Sequence, residues 1–267
     1  MPPARQRPRP RLVEVRDVSS LTPHMVRIRV GGDELREFPT TGPAEHLKVF
    51  LPAPGQERPV LPVYGPDGPQ YPADQERPTI RTYTPRRYHP DTLELDIDFL
   101  LHGDGPASNW ATRAQVGDVI AVAGPRGAYQ PDSDADWVLL AGDDTALPAI
   151  GTILEALPAS ARARVLVEVR DAAEEQPLQS AGRVDVRWLH RGEADGTAGR
   201  LLEEAVRREE LAGGAGRVWV ACEAQAMRSI KRHLLEDRGL DRTAMVTRGY
   251  WRYGEANHPD HDMGEDV

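Results

Sequence analysis

Alternation of apolar and polar residues runs through the first half of the chain and predicts β-strands. It is clearest at 92–101, where Leu93, Leu95, Ile97 and Phe99 take every second position. Further strands are predicted at 12–15, 25–30, 46–51, 79–84 and 119–123, with a helix at 106–113 and a Pro- and Gly-rich loop at 52–77. Many short strands with one helix favour a small antiparallel β-barrel.

The pattern changes near residue 134. A continuous apolar run at 137–141 predicts a strand covered on both faces, and helical spacing follows from Leu147 to Leu157. Further strands are predicted at 165–169, 184–188 and 218–221, alternating with helices at 201–208 and 224–235. Such alternation indicates a parallel sheet with helices on both faces. We therefore expect an N-terminal antiparallel β-barrel domain at 1–133, a C-terminal α/β domain at 134–256 and a flexible acidic tail at 257–267.

Composition narrows the function classes. A net charge of −9 over 267 residues argues against a general nucleic-acid binder, which needs a basic excess. The single cysteine, Cys222, can form neither an internal disulfide nor the four-thiolate site of an iron–sulfur cluster, and we expect it to be a buried small side chain. No apolar segment reads as a signal peptide or a membrane span, so we expect a cytoplasmic protein with no membrane partner.

The first candidate site is the strand segment Arg81-Thr82-Tyr83-Thr84. A guanidinium can bind a pyrophosphate as a fork, and an aromatic ring can cover one face of a planar ring system. The threonine hydroxyl or the neighbouring backbone can form hydrogen bonds with the edge of that ring system. The combination suits a flavin. The alternative is an ordinary barrel strand with an exposed arginine.

A second candidate site follows at 98–111, where a strand leads through a glycine-rich turn into a helix. Pro106 suits the first helical turn, and the free N–H groups at such a helix start can bind a phosphate. The N–H groups of Ala107 and Ser108 would point at the phosphate. The alternative is a capped helix after a loop, with Trp110 in the core. We interpret His102 as a hydrogen-bonded turn residue rather than an acid–base catalyst.

Four blocks occur in order: RTYT at 81–84, HGDGPASNWA at 102–111, AGDDTALPAI at 141–150 and GYWR at 249–252. With this order and spacing the chain resembles the siderophore-interacting protein family over roughly residues 10–256. Asp144 departs from the family pattern, in which glutamate is common at that position.

The resemblance implies an FAD-binding β-barrel followed by a ferredoxin-reductase-like α/β domain that binds NAD(P)H. It implies electron transfer from NAD(P)H, or in some relatives a ferredoxin, through FAD to Fe(III) in a siderophore. Carried over by position, the FAD contacts are Arg81, Thr82, Tyr83, Thr84, His102, Gly103, Gly105, Ala107, Ser108, Asp143, Thr145, Ala146, Tyr250 and Trp251. For Tyr250 and Trp251, the alternative is that they fill the core.

The electron donor is expected at the edge of the second domain. The chain has no Gly-x-Gly-x-x-Gly fingerprint, and Glu223, Arg228 and Lys231 are the candidate NAD(P)H contacts. The family often has Gly-Glu where this chain has Cys222-Glu223. The alternative for Arg228 and Lys231 is a solvated helix face. No acidic or basic residue stands out in the sequence as a selector between NADH and NADPH.

An anionic ferric chelate would be repelled by the overall charge, so local cations are expected around it. The candidates are Lys48, Arg126 and Arg252, with ordinary surface charges as the alternative. We expect no metal site in the protein itself, because nothing fixes the geometry of His258 and His261 in the tail.

Two rival functions remain open at this stage. One is a general NAD(P)H–flavin or ferredoxin-type reductase for which iron is incidental. The other is a non-catalytic siderophore carrier, which would leave the flavin-shaped blocks unused. We expect the protein to be a monomer.

Overall fold

The structure is a computed structural model that describes residues 9–65, 68–103, 105–192, 198–259 and 262–264. It divides into a first unit that ends at Ala128 and a second unit that begins at Tyr129. The sequence pattern put this boundary at 133/134. The earlier boundary has a physical reason, because the segment before the first buried strand bonds within the second unit. Arg217 of β13 pairs with Asp132 at 2.5 Å.

The described part of the first unit is built from strands and one short helix. The strands are β1 (Arg11–Thr22), β2 (Met25–Gly31), β3 (His46–Leu51), β4 (Val63–Gly65), β5 (Gly68–Gln70), β6 (Thr79–Tyr83), β7 (Pro85–His89), β8 (Glu94–Leu100) and β9 (Val119–Arg126). The helix is α1 (Pro106–Ala111). Seven strands form one antiparallel sheet in the order β6-β3-β9-β1-β2-β8-β7.

The alternating apolar positions of these strands share one core. Ile28, Val49, Ile97 and Ile120 come from four different strands and are all fully buried in it. A sheet whose distant strands meet in one core must curve around that core, as in the predicted barrel. On the opposite face of β3, Phe50 packs in a smaller cluster with residues of β9 and the partly buried Leu61 and Ile80.

Two features of this unit were not predicted. The loop predicted at 52–77 contains the hairpin β4–β5. Strand β7 has the sequence PRRYH, and its polar side chains are stabilised by partners that only the fold supplies. His89 Nε2 lies 3.0 Å from Asp96 Oδ2, and the Tyr88 hydroxyl donates to Leu35 O at 2.6 Å.

The second unit is an α/β layer structure with a parallel sheet. Its strands are β10 (Trp137–Asp143), β11 (Arg162–Val169), β12 (Arg183–His190), β13 (Gly216–Glu223) and β14 (Met245–Trp251). Its helices are α2 (Leu147–Ala156), α3 (Arg200–Arg208) and α4 (Ala224–Arg232), and a π-helical turn, His233–Asp237, extends α4. The strand order is β12-β11-β10-β13-β14. The predicted two-part fold, antiparallel then parallel, is confirmed.

The sequence pattern missed β14, because its sequence MVTRGYW mixes polar, glycine and aromatic residues. Tyr250 and Trp251 therefore belong to the last strand rather than to a segment after it. Cys222 lies fully buried in β13, and burial raises the pKa of its thiol well above the ordinary value. Within the described ranges, no helix has both the length and the apolar character needed to cross a bilayer.

The segment Asp262–Gly264 is bonded to the second unit. Asp262 O accepts from Gly249 N–H at 2.8 Å, and Met263 O accepts from the Thr247 hydroxyl at 2.9 Å. The sequence pattern favoured a flexible tail over 257–267, whereas these bonds give 262–264 a defined place against β14.

Candidate functional site

The RTYT segment comprises the last three residues of β6 and the following Thr84, and the side chains of its strand residues divide between the two faces of the sheet. The register pairs Tyr83 with Leu47 and Thr82 with Lys48. Directly paired residues share a face and consecutive residues alternate. Arg81 and Tyr83 therefore share the face of the barrel core, and Thr82 lies on the opposite face.

Tyr83 begins a run of aromatic contacts towards α1. Its ring centroid lies 4.3 Å from that of Phe99, and Phe99 lies 5.6 Å from Trp110. Trp110 is a partly buried neighbour of the core, in line with the alternative weighed for it. Burial raises the pKa of Tyr83, which keeps the phenol neutral. The result is a neutral aromatic ring fixed beside the half-buried Arg81, whose Nη1 donates to Ile80 O at 2.8 Å.

The turn from β8 into α1 is held by a side chain of the helix. His102 N–H donates to the Ser108 hydroxyl oxygen at 2.9 Å, and Gly103 has a φ of +45°, which favours glycine. Desolvation at this turn lowers the pKa of His102, which favours the neutral form of its ring. These bonds fit the interpretation of His102 as a turn residue. The first N–H groups of α1 have no acceptor within the helix and face the turn.

Two of the candidate cations lie on the strand pair β3–β9. Lys48 Nζ donates to the Thr82 hydroxyl oxygen at 2.7 Å, and the exposed Arg126 is paired with His46. His46 and Lys48 are two positions apart on β3 and share a face. Arg252 belongs to the second unit, where it pairs with Glu255 at 3.1 Å.

In the second unit, Asp143 joins three elements at the carboxyl end of the sheet. Its Oδ1 accepts from the N–H and the hydroxyl of Thr145, at 3.0 and 2.5 Å. Its Oδ2 accepts from Glu223 N–H at 3.0 Å and from Trp251 Nε1 at 2.8 Å. Burial raises the pKa of Asp143, and these hydrogen bonds oppose the shift. The carboxylate thus orients Trp251 and the ends of β10 and β13.

Two other residues predicted at this edge, Ala146 and Tyr250, differ in how deeply they are buried. Ala146 is fully buried beneath Gly142, where an added Cβ would lie 2.5 Å from the Ala146 Cβ. The protein therefore buries Ala146 completely and leaves none of it at the surface for a ligand. Tyr250 is half-buried, with its ring edge-on to the core residue Trp219 at 6.3 Å.

Carboxylates near the ends of β11 and β13, on either side of β10 in the sheet, cap the starts of α3 and α4. Glu168, at the end of β11, accepts from Gly199 N–H at 2.8 Å and Leu202 N–H at 3.0 Å at the start of α3. Glu223 accepts from Gln225 N–H at 2.6 Å and Ala226 N–H at 3.0 Å at the start of α4. These two helix N-termini are therefore bound to internal anions. The sequence signal for Glu168 was its position at a strand end, like Asp143 and Glu223.

The two candidate phosphate ligands of α4 are engaged by the chain itself. Arg228 Nη2 lies 3.0 and 2.9 Å from the two carboxylate oxygens of Asp262. Lys231 is buried and donates to Met263 O at 2.9 Å and Gly264 O at 2.6 Å. Neither Asp262 nor these carbonyl groups were predicted as partners, because a residue 34 positions away carries no local signal for the pairing.

Asp144 forms an ion pair with a residue that the sequence did not single out. Its Oδ2 lies 2.5 Å from Arg191 Nη2. Burial raises the pKa of Asp144 to about 6, and Arg191 opposes this shift. Within the described residues no three His, Cys, Asp or Glu side chains are grouped to hold a metal ion.

Comparison with known proteins matches both units to family models. Residues 14–129 match the model described as the siderophore-interacting FAD-binding domain, and residues 135–254 match the one described as the siderophore-interacting protein. The chain is 30% identical to the ferric vibriobactin reductase ViuB of Vibrio cholerae, over 95% of this chain and 93% of that protein. It is 32% identical to the NADPH-dependent ferric-chelate reductase of Escherichia coli, over 84% of this chain and 86% of that protein.

Solved structures agree with this assignment. A siderophore utilization protein from T. fusca superposes with a TM-score of 0.84 at 39% identity, covering 94% of this chain and 96% of that one. The ferredoxin reductase of carbazole 1,9a-dioxygenase superposes with a TM-score of 0.67 at 14% identity, covering 91% and 69%. The second likeness concerns the fold alone, which is ferredoxin-reductase-like as expected.

Proposed function

Because the chain belongs to the siderophore-interacting protein family, we propose that it is an FAD-dependent reductase of ferric siderophores that takes its electrons from NAD(P)H. The observation that carries this proposal lies in the first unit. The matched FAD-binding domain contains a strand face with Arg81 and Tyr83, together with a glycine turn into a helix start. The names of the ferric vibriobactin and ferric-chelate reductases support the iron substrate.

The donor set of the first unit fits FAD. Arg81 offers a guanidinium for the pyrophosphate, and Tyr83 offers a neutral ring for the isoalloxazine. The turn at 102–108 presents helix N–H groups to a phosphate, with Ser108 holding the turn in shape. When bound, FAD accepts a hydride and passes on single electrons, which is the conversion that a one-electron Fe(III) substrate needs.

Thr84 and Thr82 are expected to differ in role. Thr84 is buried directly after β6, next to Tyr83 on the chain, and we propose that it contacts the flavin edge. Thr82 lies on the opposite face with Lys48, so we assign it to the support of that lysine. Lys48 with Arg126, and Arg252 of the second unit, are proposed contacts of the anionic chelate.

The second unit is proposed to bind the nicotinamide nucleotide at the carboxyl end of its sheet. Since Glu168 and Glu223 occupy the N-termini of α3 and α4, nucleotide phosphates depend on side chains rather than on these helix ends. Arg228 and Lys231 are the proposed ligands. The name of the E. coli relative favours NADPH, and reduced ferredoxin remains a second candidate donor.

The proposal is tested with the purified protein under anaerobic conditions. The protein is mixed in turn with NADH, NADPH and reduced ferredoxin, then with a ferric siderophore and a colorimetric Fe(II) chelator. We expect a yellow protein whose flavin is bleached by a nicotinamide nucleotide and which forms Fe(II). Equal rates with simple flavin-reductase acceptors would favour a general reductase, and a colourless protein would favour a carrier. We also expect the protein to be monomeric and cytoplasmic. Its mass in solution checks the oligomeric state.

A further inference from the structure

The carboxylate of Asp262 lies in a set of donors contributed by separate parts of the second unit. Arg228 Nη2 lies 3.0 and 2.9 Å from its two oxygens, and Gly264 N–H donates to Oδ1 at 3.0 Å. His258 Nε2 lies 2.7 Å from Oδ2. The Asp262 side chain is 9% exposed. A guanidinium, an imidazole and a backbone N–H around one buried anion form an anion site that the chain fills with its own carboxylate.

The glycine of the GYWR block makes room for this carboxylate. A Cβ at Gly249 would lie 2.6 Å from Asp262 Oδ2, and the Gly249 N–H donates to Asp262 O at 2.8 Å. Any larger residue at 249 would push the carboxylate away. The close approach is thus built into β14, one position before Tyr250.

Lys231 lies on the same side of α4 as Arg228, since residues three apart are neighbours on a helix. Its ammonium group is buried and donates to the carbonyl oxygens of Met263 and Gly264. The segment 262–264 therefore binds both cations that face a nucleotide in the proposed function. Glu223 caps the N-terminus of the same helix, so α4 has side chains rather than backbone N–H groups for a phosphate.

We propose that Asp262 is a specificity-determining residue for the electron donor, because a nucleotide phosphate must displace its carboxylate from Arg228. The proposal rests on the use of NAD(P)H by this unit. The carboxylate lowers the affinity for phosphate at this position. The proposal assigns Arg228 to the additional phosphate on the adenosine ribose of NADPH, so that Asp262 reduces the preference for NADPH over NADH.

Binding of 2′,5′-ADP and 5′-AMP, measured by titration calorimetry on the full chain, tests the proposal without electron transfer. Asp262→Asn keeps the side-chain shape and removes the charge. We expect it to bind 2′,5′-ADP more tightly by about tenfold, the gain from removing one competing charged hydrogen bond, with a smaller gain for 5′-AMP. Asp262→Glu keeps the charge and should bind like the wild type. In Arg228→Gln/Asp262→Asn the gain should disappear.

Asp237→Asn is the matched control, because Asp237 is also a carboxylate paired with an arginine of this unit, Arg207 at 3.4 Å. It should leave nucleotide binding unchanged. Circular dichroism and Tm are measured for each variant. If Asp262→Asn does not fold, Gly249→Ala provides the second variant, since it displaces the same carboxylate and should also tighten 2′,5′-ADP binding.

Two outcomes would overturn the inference while leaving the proposed function in place. One is a lowered Tm with unchanged affinities, which would make Asp262 a structural anchor. The other is an equal gain in affinity for 2′,5′-ADP and 5′-AMP in Asp262→Asn. Failure of the proposed function looks different, because the wild-type protein would then show no flavin reduction by NADH or NADPH. If neither the wild type nor any variant bound 2′,5′-ADP or 5′-AMP, the proposal that this unit binds NAD(P)H and the inference for Asp262 would both be wrong.

Discussion

At the level of single side chains, β6 separates two roles that are adjacent in sequence. Arg81 and Tyr83 face the barrel core side, and Thr82 faces Lys48. The RTYT block was predicted from the sequence as one flavin-binding segment. Strand alternation could have separated its residues, but the partner of Thr82 depends on the pairing with β3, which is a non-local contact.

Arg81→Ala should weaken FAD binding by about 30-fold, because a charged, forked hydrogen bond to a pyrophosphate contributes about 2 kcal/mol. Thr82→Val should leave FAD affinity within about twofold, since it changes the other face. Both are measured by titrating the apoprotein with FAD and following flavin fluorescence. Loss of FAD in Thr82→Val with retention in Arg81→Ala would contradict the assignment.

Asp144 should make stability depend on pH in a defined direction. Its pKa is about 6 in the folded protein against 3.8 in the unfolded chain. Between these values the folded state binds more protons, so stability falls as pH rises from about 4 to 6, by up to about 3 kcal/mol.

Asp144→Asn should lack this fall. Urea unfolding of the apoprotein at several pH values between 4 and 7.5 gives the free energy of unfolding of the wild type and of the variant. As pH rises, the wild type should lose its advantage in this free energy, or the variant should become the more stable protein. Parallel pH profiles would show that Arg191 compensates the burial of Asp144 completely.

Among the secondary-structure elements, those with strong local patterns were predicted and those stabilised by distant partners were not. Strand β10 is an uninterrupted apolar run, and α2 has helical apolar spacing. Strands β7 and β14 carry polar, proline or glycine residues and exist because β8 and β13 supply hydrogen-bond partners. The helix caps from Glu168 and Glu223 follow from sheet topology, which brings strand ends to helix starts.

Glu168→Ala should destabilise the second unit by about 3 kcal/mol, because two N–H groups at the start of α3 lose a buried charged acceptor. Glu204→Ala is the control on the same helix. Its carboxylate is half-exposed and pairs with Arg200 and Arg208, so we expect a cost below about 0.5 kcal/mol. Denaturant unfolding measures both. Equal costs would show that the cap contributes nothing specific.

For the chain as a whole, the two-domain layout could be predicted because the sequence pattern changes near residue 134. Before it, apolar residues take every second position; after it, continuous apolar strands alternate with helical spacing. The structure divides at 128/129, whereas the sequence pattern predicts 133/134, and the pairing of Asp132 with Arg217 is a non-local contact that the sequence pattern does not show. The net charge of −9 remains the main constraint on an anionic substrate.

Lys48→Gln/Arg252→Gln should raise KM for a ferric siderophore about fivefold with the FAD content unchanged, because two surface charges contribute about 1 kcal/mol in total. Arg208→Gln, an exposed charge on α3, is the control for a general change in net charge. Steady-state kinetics under constant ionic strength measures the effect. Equal KM values in all three proteins would remove Lys48 and Arg252 from the substrate site.

The burial of Cys222 has a practical consequence for spectroscopy. Its thiol is fully buried with a raised pKa, so maleimide reagents should leave the native protein unlabelled. A cysteine introduced at Val116 in the first unit or at Arg208 in the second, both exposed, would then be the sole reactive thiol. A single dye attached there would report on one defined position of its own unit during turnover.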